Sequence, residues 1–226
     1  MRSRSSLLSH LLGSHPQIAG YSELHCSYKN VKALANMKAK INLKLKNETQ
    51  AKYYLDKILH NYPFSADILN NSNIKIIFLL REPQATIQSI IQLGHITGAT
   101  RWLNKPFKAL DYYCARLLKL EEFFHQLQVL NKNNYFFIES DDLVKNPNNL
   151  LSNLQSWLNL DSPINEQYSI FSDTGKAGYG DPSENIKTGK IIKNKKDNDI
   201  ILPDKVIDIG KTAYDKCFQK LIMDIT

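Results

Sequence analysis

The chain has 226 residues, of which 42% are hydrophobic and 23% charged, a length and composition that exclude disordered and fibrous classes and allow one sizeable core. Its longest apolar run, Ile76–Leu80, is far too short to span a bilayer, and no secretory signal pattern is visible, so the three scattered cysteines read as reduced thiols of a cytoplasmic protein. A formal net charge of +7 suits an anionic ligand; with no zinc spacing and no nucleic-acid motif in the sequence, nucleic acid is not the expected partner.

In chain order, Arg2-Ser3-Arg4-Ser5-Ser6 forms a basic, hydroxyl-rich loop. Leu7, Leu8, Leu11 and Leu12 follow at helical spacing, and Gly13 stands where a C-cap belongs. A helix starting here aims its unpaired N–H groups and positive dipole end at the loop, which makes a cradle for phosphate or sulfate. Ser14-His15-Pro16 stops the helix, and Gln17–Gly20 is a short extended piece before Glu23 and His25. An amphipathic helix with a solvated basic face is predicted over 29–45, and a second helix over 48–59.

Ile74–Leu80, apolar on both faces, is the clearest strand, as in the middle of a parallel sheet. A helix opens at Pro83, a longer one covers 107–130, and Tyr135–Ile138 is a second strand. Leu150, Leu151, Leu154 and Trp157 mark another amphipathic helix, residues 161–199 read as loop, and a helix closes the chain over 206–222. Strands separated by helices argue for one layered α/β domain over 1–226.

Taken together, RSRSSLLSHLLGSHP resembles the 5′-phosphosulfate loop of the sulfotransferase family, and IKIIFLLREPQATIQSI resembles that family's 3′-phosphate motif of a strand, Arg-x-Pro and a helix Ser. Weaker likenesses lie at Glu139–Pro147, where Ser140 stands in place of the usual Tyr or Glu, and at Gly178–Pro182. The resemblance implies a three-layer parallel sheet flanked by helices, of the P-loop NTPase-like kind, and 3′-phosphoadenosine 5′-phosphosulfate as sulfuryl donor. It implies that Arg2, Ser3, Arg4, Ser5 and Ser6 hold the 5′ end, that Arg2 also stabilises charge on the transferring group, and that Arg81 and Ser89 hold the 3′-phosphate. It implies too that Gly180 joins the donor site and that Glu23 is the base for an acceptor hydroxyl or amine, with His25 as the rival expected from its residue type. His10 and His15 read as structural.

Two departures stand out. Arg4 occupies the position where the family usually has Gly. The family's strand before the loop is missing from the sequence, so the chain as given is expected to be poorly active. The acceptor is open among small molecules, sugars, lipids and proteins. The rivals are a non-catalytic anion-binding relative and a P-loop-like kinase, the latter disfavoured because no Gly-Lys pair has the upstream glycine and strand context of a nucleoside-triphosphate loop.

Overall fold

A computed structural model describes residues 2–46, 51–58, 63–96, 98–130, 132–176, 178–193 and 200–222. In chain order its elements are α1 (Ser5–Gly13), β1 (Ile18–Ala19), α2 (Lys32–Leu45), β2 (Tyr53–Tyr54), α3 (Ala66–Leu69), β3 (Ile76–Leu80), α4 (Pro83–Ile96), a 3₁₀ turn (Gly98–Leu103), α5 (Pro106–Val129), β4 (Tyr135–Glu139), α6 (Asp142–Lys145), α7 (Pro147–Leu158), a second 3₁₀ turn (Glu184–Thr188) and α8 (Asp204–Ile222). Contacts divide the chain into two compact units: Arg4–Ile74 with Asp142–Asn194, and Met1–Ser3 with Lys75–Asp141 and Lys195–Thr226.

The unit containing Arg4–Ile74 is built round α1. Leu8, Leu11 and Leu12 are buried on one face, as their spacing predicts. β1 and β2 pair in parallel, Ile18 with Tyr53 and Ala19 with Tyr54. Leu55 N–H extends the ladder to the Ala19 carbonyl at 2.7 Å. Gly20 follows β1 with φ 107°, and a Cβ there would lie 2.2 Å from the Leu55 carbonyl oxygen, so only glycine fits this approach. Pro147 opens α7, which buries Leu150, Leu151, Leu154 and Leu158; each contributes about 2 kcal/mol by its burial.

The helix predicted over 48–59 is not formed. Residues 47–50 and 59–62 lie outside the described residues, and the stretch between carries β2. Tyr53 and Tyr54 are good strand formers, and their backbone finds ladder partners in Gln17 and Ala19 that a local helix would forgo.

In the other unit β3 and β4 pair in parallel over five residues each, from Ile76 with Tyr135 to Leu80 with Glu139. A parallel pair needs a long crossover, which α4 and α5 provide. Phe78 meets the edges of Phe124 and Tyr135 at 5.6 and 6.0 Å. Gly210 of α8 lets that helix approach Pro83, Ile87 and Leu110 closely. The chain is therefore α/β with parallel pairing. The single three-layer sheet does not appear: the strands among the described residues form two separate two-stranded sheets, and strands as short as β1 and β2 offer few ladder groups to recruit more.

Candidate active site

Arg4 is the N-cap of α1 and sits in the left-handed region, φ 60° and ψ 20°, with no side-chain cap bond. That explains why glycine is usual at this position, because an L-residue costs about 1–2 kcal/mol there. Leu8 N–H closes the first helical bond to the Arg4 carbonyl at 3.1 Å. The N–H groups of Ser5, Ser6 and Leu7 therefore precede the helical ladder and have no intrahelical acceptor. Ser5 is half-buried and Ser6 buried.

The Ser6 hydroxyl is the meeting point of distant segments. Its Oγ accepts from Lys57 Nζ at 3.0 Å and from the Asp181 N–H at 2.9 Å. Gly180 permits this, since a Cβ there would stand 2.9 Å from Ser6 Oγ and 3.4 Å from Lys57 Nζ. Lys57 Nζ also pairs with Glu23 Oε1 at 2.7 Å, and the two side chains are only 10% and 13% exposed. Ser6, Gly180 and Glu23, chosen from sequence, thus converge on Lys57, which sequence reading missed. The signal for Lys57 was hidden by the helix expected over its segment.

Asp56, the neighbour of Lys57, fixes the same stretch. Its carboxylate accepts from Leu24 N–H at 3.0 Å and from the Tyr28 hydroxyl at 2.5 Å. Burial raises the Asp56 carboxyl above its ordinary value, against the opposing pull of the Tyr28 hydroxyl and two backbone N–H groups. Burial likewise pushes the Tyr28 phenol up, with the Asp56 charge adding to it. One residue holds the backbone beside Glu23 and the next holds its side chain.

His25 lies apart from this convergence. It is exposed, has φ 52°, and donates from Nε2 to the Gly178 carbonyl at 2.7 Å. His15 is bonded within the fold: Nδ1 accepts from Gln17 N–H at 3.1 Å, and the other ring nitrogen meets the Ser162 carbonyl at 2.9 Å.

In the second unit, Arg2, Arg81 and Ser89 come together. Arg2 donates from Nε to Ser89 Oγ at 2.9 Å, and Arg81 donates from Nη1 to the Arg2 carbonyl at 2.9 Å. Arg81 directly follows β3 and is 8% exposed; Ser89 lies on α4 and is 3% exposed. Tyr113 pins the Arg81 carbonyl at 2.9 Å. Glu82 is no ion-pair partner for Arg81 here, because its carboxylate caps α4 through Gln84 and Ala85 N–H at 2.8 and 2.9 Å. Asp141 is the carboxylate that pairs with Arg81, Oδ1 to Nε at 3.9 Å. Two guanidiniums and a hydroxyl in this arrangement form a donor set for a dianion. Ser3 is half-exposed in the turn between Arg2 and Arg4. No group of His, Cys, Asp and Glu suited to a metal occurs among the described residues.

A family model described as "Sulfotransferase domain" matches residues 5–187, and the chain belongs to this family. Among solved structures it is similar to the "Sulfotransferase Domain from the Synechococcus PCC 7002 Olefin Synthase", with a TM-score of 0.53 and 17% identity, over 93% of this chain and 90% of that one. That likeness concerns the fold. No curated protein matches the sequence. No helix among the described residues is long and apolar enough to cross a membrane.

Proposed function

We propose that this chain is a sulfotransferase that uses 3′-phosphoadenosine 5′-phosphosulfate and acts, in the cytoplasm, on an acceptor hydroxyl or amine. The observation that carries the reading is the Ser6 hydroxyl at the start of α1, held between Lys57 and the Asp181 N–H. When bound, the donor would supply a sulfuryl group to the acceptor and leave adenosine 3′,5′-bisphosphate.

The residues fit such a donor. Ser5, Ser6 and the first N–H groups of α1 would bind the 5′-phosphosulfate, with the helix dipole favouring negative charge. Lys57, moved from Ser6 toward the anion, would neutralise charge building on the leaving phosphate. Arg4 adds a charge at the same end. Arg81, Arg2 and Ser89 would hold the 3′-phosphate. This assigns Arg2 to the 3′ end, away from the transfer chemistry first expected of it.

Glu23 would take the acceptor proton, and its pairing with Lys57 keeps it oriented until the acceptor arrives. The same ion pair favours a second reading, in which Glu23 is only a counter-ion for Lys57 and the chain binds the nucleotide without turnover. Glu23→Gln separates the two. In the catalytic reading it lowers the rate of transfer from the donor to a hydroxyl or amine acceptor about a hundredfold or more, the lower end of the range for lost general-base catalysis, and leaves bisphosphate affinity nearly unchanged. Unchanged transfer in the variant would remove Glu23 as the base and bring His25 forward, and absence of transfer in the parent would select the binding reading. Donor choice is tested by thermal shift: adenosine 3′,5′-bisphosphate raises the melting temperature more than ATP does. Equal shifts would favour a kinase-like site.

A further inference from the structure

His10 is buried at 4% exposure on α1, one turn beyond Ser6. Its Nδ1 lies 2.8 Å from the Ser6 carbonyl oxygen, which can only accept, so Nδ1 carries the proton. Its Nε2 lies 2.9 Å from Thr174 Oγ1, and that oxygen already accepts from Phe171 N–H at 2.9 Å. In the neutral imidazole, the form favoured by burial among aromatic rings, the Thr174 hydroxyl donates to Nε2. The ring joins two segments far apart in sequence: the first turn of α1 and the stretch leading to Gly180 and Asp181.

We propose that neutral His10 is a positioning residue for the 5′ end of the donor site, so that donor affinity falls as His10 takes up a proton. The proposal rests on the reading of Ser6 as part of that site. Ser6 is gripped twice from the same distant stretch: its carbonyl by His10, which Thr174 orients, and its hydroxyl by the Asp181 N–H. A proton on Nε2 would reverse this bond: the Thr174 hydroxyl would have to turn its hydrogen away and accept a second bond, and a charge would be buried on the ring.

The surroundings oppose the charged form. The rings of Tyr21, Tyr168 and Phe171 wall the imidazole at centroid distances of 5.5, 5.7 and 5.5 Å. Burial lowers the His10 pKa below its ordinary value, the Ser6 carbonyl raises it, Lys57 lowers it and Asp181 raises it. Behind Tyr21, Asp173 is 3.5 Å from the phenol oxygen and is paired with Lys44 at 2.8 Å. The folded-state pKa is depressed, so this contribution is complete above the ordinary histidine value and is lost as pH falls through the lowered one.

The test measures adenosine 3′,5′-bisphosphate affinity from pH 8 to 5 by calorimetry for the parent, His10→Gln and Thr174→Val. Glutamine offers the Thr174 hydroxyl an uncharged acceptor at every pH. Relative to His10→Gln, the parent should lose affinity about tenfold across the acid range, the size of a one-unit protonation linkage. Thr174→Val should bind weakly at all pH values with no such extra loss. A constant ratio between parent and both variants would overturn the proposal, because titration of the ligand's own phosphates is common to all three. If His10→Gln does not fold, the parent and Thr174→Val decide the matter alone. Should the parent not bind the bisphosphate, the proposed function fails, and hydrogen exchange at the Asp181 amide judges His10 separately. Protection that drops with acidity in the parent but not in the variants supports the link, and parallel profiles refute it.

Discussion

At the scale of single residues, Arg4 is the clearest conflict between side chain and backbone. An L-residue is held at φ 60° where the loop turns into α1. Arg4→Gly and Arg4→Ala both remove the side chain, so the difference between them reports the backbone. At ordinary positions alanine is the more stable; here glycine should win by about 0.5–1 kcal/mol, the left-handed penalty less glycine's extra unfolded-state entropy. Urea denaturation of the two variants checks this, and a more stable alanine variant would contradict it. Asp56 supplies a second test. Its folded-state pKa is raised by burial, so the folded chain binds more protons than the unfolded one above the ordinary Asp range. Stability from this group is full at low pH and declines as pH rises through the raised value. Asp56→Asn should flatten that decline in denaturant melts taken from pH 4 upward. A slope unchanged by the substitution would place the linkage elsewhere.

At the scale of elements, what the sequence revealed depended on how much pattern each element carries. The helices α4, α5, α7 and α8 repeat apolar residues over several turns and were legible, and the ends expected for α5 (107–130) and α8 (206–222) fall within two residues of those observed. β3 was legible because five apolar residues run together before Arg81. β2 was not: two tyrosines in a Lys-rich stretch fit a helical face as well, and only the tertiary partner β1 decides between them. That error hid Lys57, because a helix would not have brought it to Ser6. Arg81 and Ser89 were legible as one motif and Arg2 as part of another, and nothing in the sequence shows that Arg2 bonds Ser89. The close approach of Gly180 to Ser6 also belongs to this scale. Gly180→Val should force the two segments apart and destabilise the fold by about 1–3 kcal/mol, the usual cost of overpacking, as read by thermal or urea unfolding. A neutral effect would mean that this contact does not fix the loop.

At the scale of the whole molecule, the central claim is the proposal that the Arg81 group recognises the 3′-phosphate of the nucleotide. Adenosine 3′,5′-bisphosphate and adenosine 5′-monophosphate differ only in the 3′-phosphate, so comparing their affinities by calorimetry isolates what Arg81, Arg2 and Ser89 do. Charge-assisted hydrogen bonds from this group should make the bisphosphate the tighter ligand by about 1.5–3 kcal/mol, and Arg81→Ala should remove most of that difference while leaving inorganic sulfate binding nearly unchanged. Equal affinities for the two nucleotides in the parent chain would contradict the account.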